Sequence, residues 1–393
     1  MHVLHVVPNY LPATRYGGLV FATHALCAAL VRCGCRVTVF TTNLDGGGIS
    51  PVPVDTPVVR DGVEIRYFSV PIGKRLCYSR GLGRALDVDA TEFDLVHLHS
   101  VFLWPTWAGY RAAVDHGIPY LLAPRGMLVK ELVTRKSTIA KQGWIALVGR
   151  RIVESASGIH VTSSVEAREL RRFGFRLPPV YEVPNGVGTE TEDQNSTALP
   201  DDVLGLLKSG RPIILALGRI SWKKGLDRLV EALPHLPAAW LLVVGNDDEG
   251  YSRRLRELAE QFGVIDRTVF SGPVYGATKS DLYRKATLLA LPSHSENFGN
   301  VVLEAMAEGC PVVVTPEVGA ASIVKDSGGG LVADRAPPEF ASALKQLISD
   351  PDLRNAMGSR GQEWVTTRYS WDRIAAQMID VYRRVLQERN HGT

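Results

Sequence analysis

The amino-acid sequence predicts an α/β protein made of two parallel-sheet units, one in each half of the chain. Three observations lead there. Short β-branched runs alternate with Gly-rich turns and amphipathic segments along the whole length, and the rhythm restarts at Ile213-Ile214-Leu215-Ala216-Leu217. The 393 residues suggest two or three domains at ~150 residues each. A composition of 45% hydrophobic and 22% charged residues gives each half enough material for a core. Strands alternating with helices of this length call for parallel sheets covered by helices on both faces.

In the first half, strands are expected at 2–7, 37–41, 63–68, 95–99, 120–123, 158–162 and 180–183. The segment after the first strand carries Leu19, Ala22, Leu26 and Leu30 on one face, which is helical spacing. Ser163-Ser164-Val165-Glu166 fits a capping box that opens a helix. The seam between the halves is expected near 184–210. There Pro184-Asn185-Gly186-Val187-Gly188 is turn chemistry, and 189–197 is polar and poor in core formers. In the second half Leu226, Leu229, Val230 and Leu233 form a helical face after the strand at 213–217. Further strands are expected at 240–244, 268–271, 287–291 and 312–315, and a last helix over 371–393.

Composition excludes several classes. No stretch approaches the ~18 apolar residues of a membrane-spanning helix. The N-terminus, Met1-His2-Val3-Leu4-His5-Val6-Val7-Pro8, reads as a buried strand rather than a signal peptide. Five cysteines without a CxxC pair indicate neither a disulfide framework nor a zinc knuckle, and a cytoplasmic location is expected. The net charge of +3 hides an asymmetry: residues 1–190 carry 21 Lys and Arg against 15 Asp and Glu. The local peak is 123–152, where Arg125, Lys130, Arg135, Lys136, Lys141, Arg150 and Arg151 face only Glu131. This segment is a candidate contact for an anionic membrane surface, on the inner face of the membrane, and no nucleic-acid partner is expected.

The densest chemical signal runs from Ser293 to Pro311. A strand ends at Pro292, a loop holds Glu296, and Gly299 precedes a helix whose N-terminus offers unpaired N–H groups to a phosphate. Carboxylates beside such a site suit sugar hydroxyls better than phosphate. Gly218-Arg219-Ile220-Ser221-Trp222-Lys223-Lys224-Gly225 follows the first strand of the second half directly. Cations at the carboxyl end of a strand are where α/β sheets place charge for an anionic ligand. Fixed Arg and Lys side chains there stabilise a diphosphate leaving group as its bond breaks. The loop lacks the Gly-Lys-Ser/Thr ending of a P-loop, and no Gly-x-Gly-x-x-Gly follows either first strand, which argues against a dinucleotide oxidoreductase.

Glu296 and Glu304 with seven residues between them, the Arg219/Lys224 loop, Gly17-Gly18 and His97-Leu98-His99 together resemble the retaining family 4 (group 1) glycosyltransferases of the GT-B fold. The resemblance spans nearly the whole chain. It implies two facing Rossmann-like domains with an interdomain cleft: residues 1–188 on the acceptor side, 189–210 as linker or start of the second domain, and 211–370 binding the nucleotide sugar. The helix of 371–393 would cross back to the first domain. By the same resemblance Arg219 and Lys224 hold the donor diphosphate, Glu304 the ribose, and the backbone of Phe298, Gly299 and Asn300 the sugar and phosphate. Glu296 and His99 are the expected catalytic residues, and Gly18 brings N–H groups to the donor. Gly17 and Arg125 are the candidates for contact with an acceptor or a phosphate. Gly272-Pro273-Val274-Tyr275 resembles a base-contacting loop. Two departures bear on substrate preference: the junction ends Asn-Gly-Val-Gly where an acidic residue is frequent, and Asn297 stands where a glycine is frequent.

The implied function is retaining, metal-independent transfer of a sugar from a nucleotide-diphospho-sugar to a glycan or lipid-linked glycan in cell-surface polysaccharide assembly. No cofactor is expected, the nucleotide sugar being a co-substrate. The alternatives are a nucleotide-sugar epimerase of the same fold and a non-catalytic nucleotide-sugar-binding protein. We expect His97 and His99 to point to opposite faces of their strand, so that at most one, His99, meets the ligand. His2 and His5 read as structural. Asp87-Val88-Asp89 reads as a pair of solvated surface carboxylates rather than a metal chelate, and no other Asp, His or Cys cluster has ligand spacing.

Overall fold

The computed structural model describes residues 1–135, 138–188, 198–247 and 249–391. The chain divides into two compact units, Met1–Gly186 with Trp371–Thr393, and Val187–Ser370. Of the expected linker, residues 189–197 lie outside the described residues, while Asp201–Lys208 form a helix.

The first unit is built on an eight-stranded sheet. Its strands are β1 (His2–Asn9), β2 (Arg36–Thr42), β3 (Pro57–Arg60), β4 (Val63–Phe68), β5 (Leu95–His99), β6 (Tyr120–Ala123), β7 (Gly158–Val161) and β8 (Val180–Glu182). They lie in the order β8-β7-β6-β5-β1-β2-β4-β3. Runs such as Val3-Leu4 and Val6-Val7 are buried on both faces, as strands covered by helices require. One expectation fails here, because the sheet is not wholly parallel: β3 pairs antiparallel with β4 at the edge. Asp61 and Gly62 both have positive φ, 51° and 77°, the backbone of a tight hairpin turn. The Asp-Gly signal was present, but the exposed, weakly patterned β3 gave no alternation to accompany it.

Helix α1 (Gly18–Arg32) buries Ala22, Leu26 and Leu30 as its spacing predicts. The C-terminal helix Trp371–His391 belongs to this unit and packs along α1. Its buried face is Ile374, Ala375, Met378, Tyr382 and Val385, and Asp372 pairs with Arg32 at 2.6 Å. The Asp87-Val88-Asp89 segment is helical, and Asp89 is spent on Arg66 at 2.5 Å.

The second unit has six parallel strands: β9 (Ile213–Leu217), β10 (Trp240–Val244), β11 (Thr268–Ser271), β12 (Leu288–Leu291), β13 (Val312–Val314) and β14 (Gly330–Val332). Their order is β11-β10-β9-β12-β13-β14. The last strand is too short for a readable pattern. Both units are Rossmann-like. In the second, the chain winds outward from β9 to β10 and β11, then returns to place β12 on the other side. The order therefore reverses between β9 and β12, and a crevice opens at the carboxyl ends of strands at such a reversal.

Candidate functional site

The loops after β9 and β12 bring the expected donor residues together at that reversal. Arg219 and Lys224 follow β9, and Lys224 closes the short 3-10 turn Trp222–Lys224. The Lys224 ammonium is hydrogen-bonded to the Glu296 carboxylate, and both side chains are about four-fifths buried. Gly225 makes this approach possible: its φ is +62°, and a Cβ there would lie 2.1 Å from the carbonyl oxygen of Pro292. The His294 N–H then donates to the Lys223 carbonyl at 2.8 Å, tying the two loops into one surface.

The Glu296 loop is clamped from the other side by the turn after β13. The Gly319 N–H donates to the Glu296 carbonyl at 3.0 Å, the Ala320 N–H to Phe298 at 2.8 Å, and the Thr315 hydroxyl to Ser293 at 2.9 Å. Phe298 is buried, and its side chain anchors the loop in the core. Gly299, at φ +90°, opens the helix Asn300–Ala307. One turn along, the Glu304 Oε2 accepts from the Tyr283 hydroxyl at 2.8 Å and from Lys279 Nζ at 3.0 Å. Tyr283 and Lys279 were not singled out from sequence. Their spacing of four on one helix face, opposite a carboxylate twenty-odd residues away, shows only in three dimensions. The second unit thus offers cations, a helix N-terminus and two oriented carboxylates on one strand edge, a constellation suited to phosphate and sugar hydroxyls together.

In the first unit the order reverses between β1 and β5, and the loops there carry Gly17, Gly18 and the residues after His99. Gly17 has open space around its Cβ position and precedes α1. His97 and His99 contradict the expectation of opposite faces. Residues two apart on a strand share a face, and these rings stack with centroids 4.4 Å apart. His99 is moreover fully buried. Its Nε2 meets His5 Nδ1 at 3.0 Å, and its Nδ1 accepts from Arg125 Nε at 3.3 Å. The ring therefore supports Arg125 and does not present a nitrogen to solvent. His5, His97 and His99 place ring nitrogens within 4.8 Å of one another, a grouping invisible to sequence spacing.

Arg125 lies just past β6 with a left-handed backbone, φ 54°. Glu166 holds that backbone in place: its Oε1 accepts from the Gly126 N–H at 2.7 Å, and its Oε2 from the Thr162 N–H at 2.8 Å. The expected capping box forms in half, Ser163 Oγ accepting from the Glu166 N–H at 3.2 Å, while the glutamate side chain serves the Arg125 loop. Asn185 accepts from Arg125 Nη1 at 3.4 Å, which gives the Pro184-Asn185-Gly186 turn a place beside this cation.

The basic segment folds as the helices Lys130–Arg135, Thr138–Trp144 and Arg150–Glu154 with a π-helical stretch Ile145–Gly149 between the last two. Trp144 packs on Phe102, while Ile139 and Leu147 are 89% and 75% exposed. An apolar groove of about 360 Å³ beside them has Lys130 and Arg150 among its walls. No helix among the described residues is long and apolar enough to cross a membrane.

The chain is similar to known proteins in sequence and in fold. Residues 205–364 match the family described as Glycosyl transferases group 1, and residues 17–186 match the Glycosyl transferase 4-like domain. A D-inositol 3-phosphate glycosyltransferase of Xylanimonas cellulosilytica is 32% identical over 415 aligned positions, covering 98% of this chain and 96% of that protein. Among solved structures, sucrose-phosphate synthase from Thermosynechococcus elongatus superposes with a TM-score of 0.76 at 22% identity, over 98% of this chain and 99% of that one. The Anabaena protein HepE, solved in complex with UDP-glucose, superposes with a TM-score of 0.73 at 19% identity, over 98% of this chain and all of that one.

Proposed function

This chain belongs to the group 1 glycosyl transferases of the GT-B fold, and on that premise we propose how it moves a sugar from a nucleoside-diphosphate donor. The donor sits at the carboxyl ends of β9 and β12. Arg219 and Lys224 take the diphosphate, the N–H groups at Phe298, Gly299 and Asn300 take phosphate and sugar oxygens, and Glu304 takes the ribose hydroxyls. Glu296 lies beside the transferred sugar. The Lys224–Glu296 pair at the strand-order reversal carries this reading, because it joins a phosphate-binding charge to a hydroxyl-binding one.

Transfer proceeds with retention through oxocarbenium-like character at the sugar carbon, as in other glycosyl transfers. The diphosphate gains charge as the bond breaks, and the Lys224 and Arg219 cations are fixed where that charge develops. No metal is needed to balance it. Arg125, with Gly17 and Gly18 nearby in the first unit's strand order, meets an anionic group of the acceptor. A relative named for D-inositol 3-phosphate gives precedent for a phosphate-bearing acceptor. A glycan or lipid-linked glycan in cell-surface polysaccharide assembly meets the same requirement.

Incubation with a panel of UDP-, GDP- and ADP-sugars, following nucleoside diphosphate release with and without added glycan acceptors, tests this. Acceptor-dependent release with an axial or equatorial linkage matching the donor is expected. A changed donor sugar with no acceptor present would favour an epimerase instead.

The exposed Ile139 and Leu147 among the cations of 123–152 support contact with an anionic membrane surface. The protein is expected to sediment with anionic but not zwitterionic vesicles in low salt and to be released in high salt. Ile139→Ser with Leu147→Ser should weaken that capture. Equal capture by both vesicle types, or none, would remove the membrane role.

A further inference from the structure

A single file of hydrogen bonds crosses the interior of the first unit, and its direction can be assigned from both ends. Arg125 has only donors, so at 3.3 Å its Nε donates to His99 Nδ1. A neutral imidazole with one nitrogen accepting must donate from the other. His99 Nε2–H therefore donates to His5 Nδ1 at 3.0 Å, and His5 Nε2–H donates to the Tyr382 hydroxyl at 3.4 Å. At the far end the Val183 carbonyl only accepts, so His160 Nε2–H donates to it at 2.9 Å. His160 Nδ1 then accepts from His97 Nε2–H at 3.3 Å, and His97 Nδ1 requires a donor. That donor is the Tyr382 hydroxyl at 2.8 Å. The two assignments meet at Tyr382, which must accept from His5 and donate to His97. A hydroxyl does both, so no bond in the file is frustrated.

The file explains why four buried histidines can sit near a half-buried cation. Burial pushes His5 and His160 down to about 3, with Arg125 adding to it, and pushes His97 and His99 well below their usual value. All four are neutral, and each is one tautomer. A metal shared by His5, His97 and His99 would need three lone pairs at one point, and the directions above leave none unspent.

We propose that Tyr382 of the C-terminal helix is a positioning residue for Arg125, acting through His5 and His99 to present the guanidinium to a phosphate group of the substrate. Arg125 is held at Nε by His99 and at Nη1 by Asn185, and among the described residues Nη2 has no hydrogen-bond partner. The left-handed backbone fixes where the side chain starts, and the His99 lone pair fixes which edge faces outward. His99 offers that lone pair only as the Nε2–H tautomer, which His5 enforces and the Tyr382 hydroxyl enforces in turn. The proposal rests on the reading that Arg125 meets an anionic substrate group.

Histidine-labelled protein at neutral pH, observed by long-range proton–nitrogen correlation, gives the direct test. The wild type is expected to show His5, His97, His99 and His160 all as Nε2–H tautomers. Any of the four as the Nδ1–H tautomer would overturn the file without a variant. Tyr382→Phe keeps the ring and removes only the hydroxyl, and it should give mixed tautomers at His5 and His99. Inorganic phosphate is the binding probe, followed on the His99 ring-nitrogen resonances, which every variant here retains. Its affinity should fall about tenfold in Tyr382→Phe, the effect of one misdirected charged hydrogen bond, and vanish in Arg125→Gln. Unchanged tautomers and unchanged affinity in Tyr382→Phe would sink the positioning role. Correct tautomers with no phosphate response in the wild type would instead remove the anionic-ligand reading of Arg125.

Discussion

Lys224→Ala is expected to lower donor-dependent sugar transfer by roughly 10²–10³ while the protein stays folded. The ammonium is held at the crevice by Glu296 and by the 3-10 turn, so it is in place before the donor arrives and costs no reorganisation as charge develops. Removal strips the leaving diphosphate of a fixed cation and also frees Glu296 from its partner. Glu296 still reaches water with about a fifth of its side chain, so its carboxylate is not stranded and the stability cost stays near 1–2 kcal/mol. Steady-state kinetics separate the contributions. Loss of charge stabilisation in the transition state lowers kcat, whereas loss of ground-state binding alone raises KM. Near-normal kcat with a raised KM would make Lys224 a binding residue only.

Mild acid should unfold the first unit. The buried His5, His97, His99 and His160 have folded pKa values far below 6.5, because burial disfavours their charged forms and Arg125 repels them. Below pH 6.5 the unfolded chain takes up protons that the folded one refuses, so stability falls as pH falls toward about 3. At ~1.4 kcal/mol per pH unit and group, a drop to pH 5 costs about 2 kcal/mol for each histidine, or about 8 kcal/mol for the four. That approaches the ~5–15 kcal/mol stability of an ordinary domain. His2 and His24 are shifted in the same sense, and carboxylates titrate mostly below this window. Urea midpoints at pH 7.5, 6.5 and 5.5 should decline steeply, and His160→Gln should flatten the slope by about one proton. A midpoint that holds steady to pH 5.5 would show the imidazoles charged or exposed in the folded state.

The second unit's part of the candidate site was more legible in the sequence than the first unit's, for a physical reason. Arg219 and Lys224 lie within seven residues of a strand end, and Glu296 and Glu304 lie on one loop and the helix that follows it. A cluster of cations at a strand end is a local device, and local spacing reveals it. The strands were likewise readable, since buried parallel strands such as Leu241-Leu242-Val243-Val244 are continuous apolar runs. Edge elements such as Pro57–Arg60 and Gly330–Val332 were not, because they are short and only partly buried. The histidine file joins residues 5, 97, 99, 160 and 382, drawn from three strands and a distant helix. No periodicity marks such a set. Tyr382 looks like one more apolar position on an amphipathic helix until its hydroxyl is seen between two imidazoles.

Thermal unfolding of the wild type and Lys224→Ala against UDP, GDP, ADP, CMP and NAD tests the central claim most directly. A ligand at 100 times its dissociation constant adds ~2.7 kcal/mol, a readable rise in Tm. One nucleoside diphosphate is expected to raise the Tm of the wild type and not that of the variant, with NAD inert. A shift from NAD alone, or an equal shift from the nucleoside diphosphate in both proteins, would contradict a donor diphosphate held by Lys224 at the carboxyl ends of β9 and β12.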